Sequence, residues 1–336
     1  MNRAALLLAI LIAASSSALA GPSISYIDRT RIAEAYRIAE SIQNDLWKNW
    51  STAPFGMLFI TDEHEFLIRH KKPSDEFTSI GYDKLLKSEV FVRPRKFQKD
   101  FLATFPAFDA TPVIVVGKAE NTSDKTSTRW VFVLLHEHFH QLQYSRPGYF
   151  ADVNALDLSG GDTTGMWQIN YPFPYKDELV AKSFRGLTDS LLAAYEAGNK
   201  ADRAKTFAAY DSKRRSFFES LKKADNRYAS FQLWQEGVAR YTQYKMARLA
   251  ARKLKPSRAF AKLTDFVPFD KEADRLLAAT LKEMRELDLK EWERVVFYPF
   301  GAVECLMLDR LDPNWRSRYF VEKFALEKLY PANTAN

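Results

Sequence analysis

The segment His136-Glu137-His138-Phe139-His140 constrains this chain more than any other. It follows six uncharged residues, Trp130-Val131-Phe132-Val133-Leu134-Leu135, so a dense polar cluster has to be carried into an apolar interior. On a helix, two His four residues apart share one face, and both imidazoles can reach one metal ion. Glu137, beside the first His, is then aimed at the open side of that ion, where a general base is needed. Neutral imidazoles suit zinc, which lowers the pKa of its bound water to about 7 when one coordination position stays free. A strand is the rival geometry, because His136, His138 and His140 alternate and would share one sheet face. Metal sites of that kind draw a Glu and a further His from downstream; here Gln141-Leu142-Gln143 follows, and no His lies beyond position 140. The helical reading over 130–144 is therefore preferred, with His138 off the metal face as a buried, partnered side chain.

Two His leave a catalytic zinc one protein ligand short. The third must be a carboxylate, or come from His64 or His70. Glu236 is the leading candidate, in Leu233-Trp234-Gln235-Glu236-Gly237-Val238-Ala239-Arg240-Tyr241. Its apolar neighbours imply burial, a buried Glu needs a partner, and Gly237 leaves room for a close helix or an ion. An ordinary i,i+4 ion pair with Arg240 is the alternative use of Glu236. Asp152, Asp157, Asp162 and Glu178 are weaker ligand candidates.

The remaining pattern predicts a predominantly helical α+β chain with a small N-terminal sheet layer packed on a helical body. Apolar residues recur at helical spacing over 27–50 (Ile32, Tyr36, Ala39, Ile42, Leu46, Trp50), which predicts one amphipathic helix. Met57–Ile60 and Phe66–Ile68 flank a turn and read as a hairpin, and Pro112–Val116 reads as a buried strand. Residues 145–174, rich in Gly, Pro and Asp, form a long connection, and long connections are often functional. Within it Gly165–Tyr171 alternates large and polar residues, as either an exposed strand or a packed loop would. Helices are expected from Glu178 onward, including 228–254, 270–286, 300–310 and 314–329. The sheet-containing part spans about 21–125 and the helical part about 126–336 of one domain. Aromatics at 14% supply ample core material. The single cysteine, Cys305, excludes an intrachain disulfide and sits among Ala302, Val303, Leu306 and Met307, as a small buried hydrophobe would.

Residues 1–20 carry Arg3, an apolar run from Ala4 to Ala14 and then Ala18-Leu19-Ala20, the pattern of a secretory signal peptide. The run is too short to span a bilayer, and export with no disulfide framework fits a bacterial periplasmic or secreted protein. Without Arg3 the charged residues number 48 basic and 42 acidic, against 49 and 42 in the whole chain. That excess is modest. The clusters Arg93/Arg95/Lys96/Lys99, Lys213/Arg214/Arg215 and Arg252/Lys253/Lys255/Arg258 read as solvated surface, and no nucleic-acid recognition motif accompanies them.

His136, Glu137 and His140, with Glu236 in an E-G-x-A-R-Y segment (Glu236, Gly237, Ala239, Arg240, Tyr241), resemble the gluzincin metallopeptidases, above all bacterial exported members. In that group H-E-x-x-H on one helix is completed by a Glu on a later helix. The resemblance covers about 25 residues in two segments. It implies a zincin-like active-site helix, zinc held by His136, His140 and Glu236, Glu137 as catalytic base, and a peptide or protein substrate. Arg240 stands where thermolysin-like members carry an Asp that orients a ligand imidazole. Such enzymes also need a donor facing the developing oxyanion, often a Tyr or His. Tyr298, before the Pro299-Phe300-Gly301 bend, is the candidate, with Tyr241 and Arg240 competing. The expected function is an exported zinc metallohydrolase, most simply a peptidase. The alternative is a non-catalytic periplasmic binding or scaffolding protein with a structural or relic metal site.

Overall fold

The strand Met57–Ile60 shows how the N-terminal half is built. Met57 and Phe59 point into one apolar core while Leu58 and Ile60 point into another, so the sheet is covered on both faces and its central strands are apolar throughout. The computed structural model describes residues 21–331; the leader read at 1–20 lies outside the described residues. Six strands, β1 (Met57–Ile60), β2 (His64–Ile68), β3 (Thr78–Asp83), β4 (Ser88–Pro94), β5 (Leu102–Phe105) and β6 (Val113–Gly117), form one mixed sheet in the order β3-β4-β2-β1-β6-β5. Only the β1–β6 pair is parallel. The far face is sealed by a Phe layer, with Phe97, Phe101, Phe105 and Phe108 over Leu58, Ile60, Leu67, Phe91, Val113 and Val115.

The near face carries the helical body. Helix α1 (Tyr26–Leu46), capped by Ser25, and α2 (Ser127–Tyr144) lie over the sheet, with α2 against β5 and β6. Two short helices, α3 (Tyr149–Asn154) and α4 (Trp167–Asn170), punctuate the long connection. Then come α5 (Glu178–Glu196), α6 (Lys200–Ser220), α7 (Lys223–Gln232), α8 (Val238–Lys253), α9 (Phe269–Glu286), α10 (Leu289–Trp292) and α11 (Phe297–Leu311). One π-helical turn, Leu233–Gly237, joins α7 to α8. The larger of the two apolar cores runs from Ile24 to Tyr330 and includes Cys305, whose thiol burial pushes well above its usual range. Among the described residues, no helix is long and apolar enough to cross a membrane.

The fold is thus the expected α+β mixture, with local corrections. α1 stops at Leu46, and Trp50 belongs to a separate 3₁₀ turn. Residues 165–171 hold α4 rather than a strand, because Asp162 accepts hydrogen bonds from the Thr164 and Trp167 backbone and winds the segment. The expected helix 314–329 is two 3₁₀ turns, Trp315–Ser317 and Leu326–Leu329, with Phe324 at φ +60° between them. There Trp315 and Tyr319 pack on Trp47, and Tyr319, Phe320 and Phe324 pack on Trp234, which overrides the helical spacing. Two residues of the basic clusters are buried rather than solvated: Arg93 pairs with Glu65 at 2.7 Å and Arg214 with Glu304 at 2.6 Å.

Candidate metal centre

Helix α2 is buried along almost its whole length and carries His136, Glu137 and His140 between the edge strand β5 and the later helices α8 and α9. The π turn delivers Glu236. His136 Nε2 and His140 Nε2 are 3.2 Å apart, His140 Nε2 is 3.4 Å from Glu236 Oε2, and His136 Nε2 is 3.9 Å from the same oxygen. The side chains of His136 and Glu236 keep 10% and 18% exposure, so solvent reaches the cluster.

The ring orientations make this a convergence of acceptors. Gln143 Nε2 donates to the Trp234 and Gln235 carbonyls and to the Tyr319 hydroxyl, which fixes the amide and turns its Oε1 to His140 Nδ1 at 2.6 Å. The His140 ring therefore donates from Nδ1, although Gln235 Nε2 also stands 3.2 Å from that nitrogen; the shorter contact governs. His136 turns its own Nε2 to the cluster. Two imidazole nitrogens and a carboxylate oxygen thus converge, and such a set can accept a cation. Zinc bonds of about 2.0–2.2 Å place tetrahedral ligand atoms roughly 3.3–3.6 Å apart, close to the 3.2 and 3.4 Å separations and somewhat shorter than the 3.9 Å between His136 and Glu236. His136, His140 and Glu236 can hold a metal ion.

The electrostatics agree. Burial pulls the Glu236 carboxyl upward, but His140, Arg294 and His136 outweigh it and hold the group down at about 2. Burial lowers His140, yet the carboxylates of Glu236 and Glu137 push it up to about 9, while burial and the neighbouring His140 hold His136 down at about 3. Without a metal, one proton sits on His140 against Glu236, and a metal would displace it.

Glu137 is buried beside the cluster, and burial raises its carboxyl. Thr104 on β5 donates to Glu137 Oε2 at 2.8 Å, tying the carboxylate to the edge strand. Tyr298, at the start of α11, stands with its ring nearly parallel to His136, centroids 6.2 Å apart, and close to Glu236. Burial and the adjacent Glu236 raise its phenol well above the usual range. Arg294 links the two, donating from Nη1 to Tyr298 Oη at 2.9 Å and to Glu236 Oε1 at 3.3 Å.

The other candidates lie elsewhere. Arg240 pairs with Glu283 at 3.0 Å, so the i,i+4 pair with Glu236 does not form. Tyr241 bonds Asp309 at 2.8 Å. Asp152 is held by Lys323, Asp162 winds the α4 turn, and Glu178 pairs with Lys290. His64 is on β2, and His70 faces Asp109 at 3.8 Å. His138 is a structural residue as expected, stacked on Phe55 with centroids 3.9 Å apart and bonded to Gln141 Oε1 at 2.9 Å. The sequence reading missed Thr104, Gln143 and Arg294. Gln143 had a signal, lying three residues beyond His140 and so on the same helix face as the His pair.

The π turn explains why Gln143 matters. A π turn breaks the α-helical hydrogen-bond ladder, and such turns frequently mark functional sites. Here the Trp234 carbonyl is bonded by Gln143 Nε2 and by the Tyr319 hydroxyl at 2.7 Å, and the Gln235 carbonyl by Gln143. One amide therefore supports the turn carrying Glu236 and orients the His140 ring.

The fold and the site together define a mixed α+β protein with a two-His, one-Glu cluster able to hold a metal ion. Comparison of the chain with protein-family models, curated proteins and solved structures gives no match.

Proposed function

We propose that this chain is an exported zinc-dependent metallohydrolase, a peptidase that cleaves amide bonds, with a zincin-like active-site helix in α2. The observation that carries the reading is the meeting of three metal-ligating acceptors with a separate buried carboxyl, Glu137, beside them. Zinc held by His136, His140 and Glu236 supplies Lewis-acid activation of water and of the scissile carbonyl. Glu137 takes the proton of the attacking water and returns it to the leaving amine. Tyr298 offers the hydroxyl that meets the carbonyl oxygen as it gains charge. Strand β5, at the end of the sheet and bonded to Glu137 through Thr104, supports a peptide substrate, because an extended chain can add to such an edge. Structural zinc sites are closed by four protein ligands, and among the described residues three come together here, which favours catalysis over a structural or scaffolding role. The leader supports a bacterial periplasmic or secreted location.

The test begins with chain purified from Gly21 without chelators and metal measured by mass spectrometry. About one zinc per chain is expected, lost or greatly weakened in Glu236→Ala. Glu137→Gln is expected to keep zinc and lose peptide hydrolysis by about a thousandfold or more. No bound zinc after zinc is offered, or a fully active Glu137→Gln protein, refutes the proposal.

A further inference from the structure

The guanidinium of Arg294 is only half used. Nη1 is committed to Glu236 Oε1 and Tyr298 Oη. Nε and Nη2 make no hydrogen bond, and neither is among the buried polar atoms left without a partner, so this edge is open to solvent while the side chain as a whole is only 22% exposed. Nε and Nη2 carry parallel N–H bonds, the side-on fork that matches a carboxylate in two contacts.

Two further observations say where a carboxylate would come from. First, Arg294 and the metal-ligating cluster flank the same Glu236 carboxylate, one oxygen each. A peptide advances about 3.3–3.6 Å per residue, so a bond held at the cluster leaves space for about one residue before the chain meets Arg294. Second, aromatic side chains crowd the surroundings of Arg294. Tyr175 and Tyr228, whose hydroxyls lie 3.3 Å apart, stand close enough to Arg294 to act on it electrostatically, and Phe173 and Phe297 pack on Tyr228. The nearby acid Glu293 is neutralised by Lys176 at 3.2 Å. With Glu293 so paired, the free edge of Arg294 is the cation left to receive a terminal carboxylate beside these rings.

We propose that Arg294 is a specificity-determining residue that binds the free C-terminal carboxylate of a peptide, so that the site removes the last residue of its substrate. The proposal rests on the peptidase reading above, and its test is a binding measurement. The protein is the zinc-loaded Glu137→Gln chain, in which bound peptide is not consumed, and the probes are N-acetyl-Ala-Ala-Phe as the free acid and as the C-terminal amide. Calorimetry is expected to show the acid bound at least about tenfold more tightly than the amide, as a charge-assisted pair requires. Adding Arg294→Gln should abolish that preference, and Arg294→Lys should restore part of it. Zinc content and thermal midpoint are read on each protein to separate loss of the fork from loss of the Glu236 contact. Equal affinity for acid and amide in the Arg294 protein, no binding of either, or a preference that survives in Arg294→Gln overturns the proposal. A chain that takes up no zinc refutes the peptidase reading instead, and the acid-to-amide ratio then still reports on Arg294 alone.

Discussion

Replacing Gly237 with Ala tests how the site is assembled, because two effects pull in opposite directions. Gly237 is the last residue of the π turn, one position after Glu236, and its backbone crosses that of Gly301 on α11. A Cβ at 237 would lie 2.5 Å from Gly301 Cα and 3.1 Å from the Phe297 carbonyl oxygen; a Cβ at 301 would lie 2.7 Å from Gly237 Cα. Helix propensity alone predicts that Ala stabilises this position by about 1 kcal/mol. The crossing predicts the reverse. An ordinary carbon contact needs about 3.5–4 Å, so α11 must withdraw by about 1 Å, and overpacking of this kind costs about 1–3 kcal/mol. The stretch that withdraws carries Tyr298 and adjoins Arg294, and a shift of that size at a reacting centre can reduce turnover about a hundredfold. The assays are thermal unfolding and peptide hydrolysis on Gly237→Ala, Gly301→Ala and the double variant. Each single change should lower the midpoint by several degrees, and the double should cost less than both combined, since one separation relieves both clashes. A Gly237→Ala protein as stable and as active as the parent would refute the close crossing as the device that joins Glu236 to Tyr298.

Further outcomes follow from the same geometry. Gln143→Leu removes the partner of His140 Nδ1 and of two π-turn carbonyls, and zinc affinity measured by competition with a chelator should fall about 10- to 100-fold. His138 is held down at about 3 mainly by burial, so between pH 3 and its unfolded value near 6.5 the unfolded chain binds the extra proton. Its contribution to stability is complete above pH 6.5 and shrinks as pH falls toward 3, by up to about 5 kcal/mol. Urea unfolding of His138→Gln from pH 4 to 7 should show a flatter rise of stability with pH; an unchanged slope would contradict a buried neutral ring.

What could be read in advance was what short-range pattern encodes. α2 announced itself because an apolar run and a polar cluster share one helical period, and Glu236 because an acid beside a glycine sat in an apolar stretch. The glycine does face a close helix. β3 left no trace because all but one of its residues are exposed, so no alternation marks a buried face. β5 spans four residues and joins the sheet through β6, and pairing between separated segments is written in neither one alone. Arg294 looked like any surface arginine, since its partners lie 58 positions upstream and four downstream. The 314–329 segment misled because its aromatics are spaced for a helix while Trp47 and Trp234, far away in sequence, decide how they pack.

The π turn also means that the third ligand depends on a count of residues as much as on a side chain. In an α-helix each residue advances the face by about 100°, so the extra residue between Leu233 and Gly237 resets the phase of everything before it against everything after it. Deleting one residue of the turn would leave the His pair, Glu137 and the glutamate chemically intact while turning α7 out of register with α8. The metal-binding face and the aromatic face of this helix could no longer both be satisfied. Chain length at this one turn is therefore as much a part of the site as the identity of Glu236, and substitution scanning, which preserves length, would never reveal it.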